Sequence, residues 1–116
     1  KQHLDGLSLK SLIAAGVDLK REAIHFHFPH YHHINTMGPS GAIRQGDYKL
    51  IEVFETGELE LYNLREDMEE NHNLVDKMPT LALQMRKDLK KWRLQSNAQL
   101  NQKNPNYDPD LDFRKK

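Results

Sequence analysis

Two tight turns, one strand-length apart, constrain this chain more than any other feature. Residues 42–45 read as a short strand, Gly46-Asp47 as a two-residue hairpin turn with glycine in the first central position, and residues 48–54 as a second strand. Glu55-Thr56-Gly57 is a second turn, and residues 58–64 are a third strand. Strands joined by connections this short can pair only in the antiparallel sense. Upstream, residues 23–28 alternate Ile24, Phe26 and Phe28 with His25 and His27, which is strand periodicity. Pro29 ends that strand by removing a backbone donor. The expected core of the fold is therefore a four-stranded antiparallel sheet over residues 23–64.

The strand at 48–54 is apolar on both faces. Tyr48, Leu50 and Phe54 project one way, Ile51 and Val53 the other. A sheet with one face in water alternates more cleanly, so both faces are expected to meet protein. One cover is in the sequence. Leu81, Met85, Leu89 and Trp92 are spaced 4, 4 and 3, one apolar stripe of a helix over residues 79–97. Pro79 suits its first turn and Asp76 is a candidate cap. Arg86, Lys87, Lys90, Lys91 and Arg93 crowd its C-terminal half, toward the negative end of the helix dipole. Residues 1–22 read as a linker with a short helix carrying Leu9, Leu12 and Ile13, capped by Asp5 or Ser8 and stopped at Gly16. Residues 65–79 are acidic and irregular, with Asn73-Leu74 docking back onto the fold. Residues 98–116, rich in Asn, Gln, Asp and Pro, are expected to be an extended tail that needs an external surface to order it. The fold class is α+β: a four-stranded antiparallel sheet packed by a long C-terminal helix, in one domain over residues 1–116.

Composition removes several function classes. Lys+Arg and Asp+Glu are 17 each, which leaves no net field to gather nucleic acid or an anionic membrane. No apolar run approaches the roughly 20 residues that span a bilayer. There is no cysteine, so thiol nucleophiles, disulfides and Cys-ligated zinc are excluded within the chain. The chain starts at Lys1 and reads as a piece of something longer. No Gly-x-Ser-x-Gly setting and no glycine-rich phosphate loop is present.

The candidate chemistry lies in the run His25-Phe26-His27-Phe28-Pro29-His30-Tyr31-His32-His33, which holds five of the seven histidines. Imidazole binds metals, carries protons near neutrality and donates to anions. His-x-His on a strand has chelating spacing, yet no clear carboxylate ligand accompanies it. A polar, aromatic loop after a strand end is also a natural binding rim. Here His30 and Tyr31 offer donors to an anionic or hydroxylated ligand, and Arg44 on the neighbouring strand offers a positive fork. Packing and hydrogen bonding within the fold is a third role for these histidines. Glu52, on a mainly apolar face, is a candidate catalytic carboxylate, but an ion pair to a neighbouring strand or an edge position is the favoured expectation. The acidic stretch 66–70 lacks the spacing and turn glycine of an EF-hand loop.

Four segments in order resemble the C-terminal portion of bacterial type I, arylsulfatase-like sulfatases of the alkaline-phosphatase superfamily. They are Leu4-Asp5-Gly6-Leu7-Ser8-Leu9; His27-Phe28-Pro29-His30-Tyr31; Gly41-Ala42-Ile43-Arg44-Gln45-Gly46-Asp47-Tyr48-Lys49-Leu50-Ile51; and Glu60-Leu61-Tyr62-Asn63-Leu64 through Glu70 to Asn73-Leu74. Met68 departs from the family, which often has proline there. The resemblance implies a subdomain leaning on a large N-terminal catalytic domain of the same polypeptide, which would cover the second sheet face. It implies a parent enzyme that hydrolyses sulfate esters with calcium and a formylglycine made from Cys/Ser-x-Pro-x-Arg. Ser40-Gly41-Ala42-Ile43-Arg44 has Ser and Arg at that offset but Ala42 in place of proline, so this chain is expected to hold neither catalytic residue nor metal and to be inactive alone. The resemblance also implies a rim role toward a sulfated small molecule or glycan for His27, His30, Tyr31, His32 and Arg44. In that arrangement the strand's aromatics anchor it while His27 and His30 face the cleft. A periplasmic or extracellular location is implied as well. The alternatives from the residues themselves are a His-rich metal- or carbohydrate-binding module and a structural or oligomerisation domain.

Overall fold

The computed structural model describes residues 6–31, 38–102, 104–108 and 110. In chain order the elements are α1 (Lys10–Ala15), β1 (Ile24–Phe28), β2 (Ser40–Gln45), β3 (Tyr48–Val53), β4 (Leu59–Asn63) and α2 (Pro79–Gln95). The strands form one antiparallel meander in the order β1-β2-β3-β4. The four-stranded sheet and the long helix are those expected from the turn spacing and the apolar stripe. The boundaries move by up to two residues, and β2 begins at Ser40 rather than Ala42.

The hairpin turn is as the sequence predicts. Gln45 pairs with Tyr48 across it, and Gly46 has a φ of 56°, which a residue with a Cβ adopts only at a cost. Beyond β4, Leu61 N–H donates to Asn73 Oδ1 at 3.0 Å, and Leu74 N–H donates to the Leu61 carbonyl at 2.7 Å. Asn73-Leu74 therefore docks back as expected and continues the ladder on the outer side of β4.

Register sorts the side chains. His25, Ile43, Leu50 and Leu61 lie in one row across the sheet. That row faces α2, where Ile43, Leu50, Leu61, Ala82, Met85 and Leu89 are buried together. Each large aliphatic chain removed from water here contributes about 1.5–3 kcal/mol before entropy. Leu81 and Trp92, the other members of the stripe, are partly buried against this cluster. The capping expectation for α2 is corrected: the N-cap is Met78 and no side chain caps it, so Asp76 plays no such part. α1 does end at Gly16, in the left-handed region. Asp5 lies outside the described residues, and Ser8 Oγ accepts from Lys10 N–H at 3.3 Å without being the cap residue.

Candidate functional site

The histidine strand is placed by what lies on each side of it. His25 and His27 are on the α2 side. His25 stacks on Trp92 with ring centroids 4.7 Å apart and planes 5° from parallel. His27 meets Trp92 edge-on at 6.5 Å and tilts against Phe54 at 5.3 Å. Its Nε2 lies 2.7 Å from the Gln99 carbonyl oxygen. A carbonyl only accepts, so Nε2 is the donor. The ring's Nδ1 is buried, with no hydrogen-bond partner among the described residues. His27 thus ties the start of the C-terminal tail to the sheet.

The aromatics of β1 lie the other way. Phe26 and Phe28 are 53% and 47% exposed on the face opposite α2. The arrangement in which aromatics anchor β1 while His27 faces outward is reversed in this chain: the imidazoles pack under the helix and the phenylalanines stand open. Phe26, Phe28, Ser40, Ala42, Lys49 and Ile51 line a shallow cavity of about 210 Å³ on that open face.

The remaining rim candidates disperse. His30 is exposed and meets the Phe28 ring edge-on at 5.6 Å. The Tyr31 hydroxyl donates to Glu55 Oε1, which pins the chain leaving β1 to the turn after β3. His32 and His33 lie outside the described residues. Arg44 is exposed on the open face, paired in register with Ile24 and Lys49. His27 pairs with Gly41, three residues away along β2. Arg44 is therefore roughly 10 Å along the strand and on the other face. His30 and Tyr31 share one corner of the molecule, and Arg44 does not join them.

Glu52, Arg86 and Arg93 hold this end of the sheet together, in a role the sequence pattern assigns to none of them. Glu52 is buried on the α2 face, accepting from Arg86 Nε at 2.8 Å and from Arg93 at 2.6 Å. Its partners are on the helix, not on a neighbouring strand. The Arg93 guanidinium also lies 5.0 Å from the Phe54 ring centre. Two cations on one buried carboxylate leave no uncompensated anion, and charge-assisted bonds this short are the strong kind. Gly41 makes room for the group: a Cβ there would lie 2.9 Å from Phe54 Cζ and 3.3 Å from the Phe26 carbonyl oxygen. The signal for Arg93 was its spacing, since it continues the buried positions 85 and 89 by another four residues.

Among the described residues, no set of side chains fits either group that the resemblance implies for the parent. Among the described residues no cluster of three or more His, Cys, Asp or Glu side chains suits a metal ion. The Ser40-to-Arg44 window is the interior of β2, paired on both sides, with Ala42 and Ile43 buried. Asp67 serves a turn: its carboxylate accepts from the Asn71 and His72 backbone N–H groups at 3.0 and 2.8 Å. Those bonds hold its carboxyl below the usual aspartate range. Among the described residues, no helix is long and apolar enough to cross a membrane.

Comparison with known proteins places this architecture. The family model described as N-sulphoglucosamine sulphohydrolase, C-terminal, matches residues 1–97. A protein of Formosa agariphila (strain DSM 15362 / KCTC 12365 / LMG 23005 / KMM 3901 / M-2Alg 35-1) named "Sulfatase" is 33% identical, over 84% of this chain and 20% of its own length. Among solved structures, that of BT4656 in complex with its substrate D-glucosamine-2-N,6-O-disulfate superposes with a TM-score of 0.65 at 21% identity, covering 90% of this chain and 23% of the other. That likeness is one of fold. The chain spans about a fifth of the length of the relatives it matches.

Proposed function

The chain belongs to the N-sulphoglucosamine sulphohydrolase C-terminal family, and from that premise we propose that it supports the catalytic portion of a sulfatase through its open sheet face. The observation that carries this reading is Phe26 and Phe28 standing half-exposed beside Ala42 and Ile51, with α2 covering the opposite face. A second observation agrees. Leu9, Leu12 and Ile13 of the α1 segment are all exposed, Ile13 to 80%. A six-residue helix cannot hold itself together in water. Both apolar surfaces call for a neighbour, and the remaining four-fifths of the matched relative's length is the candidate that supplies one.

In this reading the N-terminal catalytic domain of the same polypeptide carries the calcium and the formylglycine that supply sulfate-ester cleavage, in a periplasmic or extracellular setting. The described residues contribute no catalytic step. Their contribution is to the substrate-pocket rim. His30 stands exposed at the end of β1 with both ring nitrogens available as donors when protonated. Tyr31, oriented by Glu55, and His32 follow it. His27 acts behind them by fixing the strand end, and Arg44 lies at the far margin. The substrate class is a sulfated glycan or small sulfate ester. D-glucosamine-2-N,6-O-disulfate, the substrate of BT4656, is a member of that class.

The experiment uses the complete polypeptide that carries this chain. Phe26→Asp with Phe28→Asp is expected to abolish sulfate release by breaking the inter-domain contact, since a buried unpaired carboxylate is costly. His30→Ala is expected to lower kcat/KM about tenfold, the worth of roughly one charge-assisted hydrogen bond. Full activity in the double variant overturns the docking role. An unchanged kcat/KM overturns the rim role of His30.

A further inference from the structure

α2 carries five cations, Arg86, Lys87, Lys90, Lys91 and Arg93, and one anion, Asp88. The structure divides them sharply. Arg86 and Arg93 turn inward and share Glu52. Asp88 accepts from Gln45 Nε2 at 3.2 Å and from Gln84 Nε2 at 3.1 Å, and it makes no salt bridge to a lysine among the described residues. Lys87, Lys90 and Lys91 are exposed on the side away from the sheet, and none has a salt bridge among the described residues.

Spacings of three and four residues put these lysines side by side, within about 6 Å along the helix axis. Like charges at those spacings destabilise a helix. The helix dipole does not offset this, because its effect fades beyond the last turn, and the one basic residue in the last turn is Arg93. Leu83 and Leu94, both exposed, bracket the lysines on the same stripe. In a chain of balanced charge, this is a concentrated positive surface with apolar ends.

We propose that this outward face of α2, through Lys87, Lys90 and Lys91, binds a sulfated polysaccharide chain. It is a second contact, on the opposite side of the sheet from Phe26 and Phe28. Lysine ammonium groups are point charges and suit sulfate groups presented along a flexible polymer. Leu83 and Leu94 offer apolar surface to the C–H faces of the sugar rings. The choice of a sulfated polymer over other polyanions rests on the sulfatase reading. The contact would hold a polymeric substrate on the enzyme between cleavage events.

The test titrates heparin, as the probe, into the full chain at several salt concentrations. Lys87→Ala, Lys90→Ala and Lys91→Ala are combined in one variant, with Lys→Gln at the same positions as a second. All three sites are exposed and alanine favours helix, so circular dichroism is expected to match the parent. At about 50 mM salt the parent binds and both variants lose at least roughly tenfold in affinity, with the salt slope shallower by two to three charges. Absence of binding by the parent, or equal affinity in the variants, overturns the proposal. Equal affinity for alginate, which carries carboxylates and no sulfate, or for single-stranded DNA, overturns the sulfated-glycan assignment. Heparin binding needs nothing from the Phe26 and Phe28 face, so it fails or stands independently of the docking role.

Discussion

Tyr62 sits on the open side of the sheet, buried with Ala42 and Ile51. Its hydroxyl donates to Glu60 Oε2 at 3.1 Å. Burial first, and the charge of Glu60 second, push its phenol from 10.0 up to about 12. The folded chain therefore holds this proton more tightly than the unfolded chain does. The associated stability is complete below pH 10.0 and is lost as the pH climbs toward about 12. Tyr62→Phe is expected to flatten that alkaline loss. Melting temperatures of parent and variant across this range test it, and parallel curves would contradict it. At this scale the sequence was partly legible. Glu52 stood out as a carboxylate on an apolar strand face. Its partners did not, because pairing it with Arg86 and Arg93 requires the phase of α2 against the sheet, and a helix pattern fixes only which residues share a face. Arg93 on the buried stripe and Glu52 on the buried strand face are complementary only once both elements are in place.

Among the elements, α2 against the sheet is the contact that holds this chain together. Leu89 is fully buried between the strands and the helix. Leu89→Ala removes its transfer energy and leaves a cavity, and is expected to cost about 2–5 kcal/mol. Leu83→Ala, at an exposed position of the same helix, is expected to change stability by less than about 0.5 kcal/mol. Urea midpoints with unchanged slopes distinguish the two, and equal midpoints would mean that α2 does not pack as described. The sheet was readable because turn chemistry and period-two alternation are local signals. In β1 the alternation separated Ile24, Phe26 and Phe28 from His25 and His27, but it could not say which set lies under the helix. The imidazoles lie there because Trp92 and Phe54 supply flat aromatic partners for them. The phenylalanines are left exposed on the opposite face.

The molecule as a whole has one finished face and one open face. Ile43, Leu50, Leu61, Met85 and Leu89 complete the first. Phe26 and Phe28 leave the second unfinished. The proposed docking onto a catalytic domain gives that asymmetry a physical reason: the second face would be half of an internal boundary. Because the 116 residues contain no cysteine, the boundary can be probed with a single reporter. Phe26→Cys is labelled with a thiol reagent in the 116-residue chain and in the complete polypeptide, and the modified peptide is followed by mass spectrometry. The account predicts rapid labelling of position 26 in the isolated chain and strong protection in the complete polypeptide. Equal labelling rates in the two would contradict it.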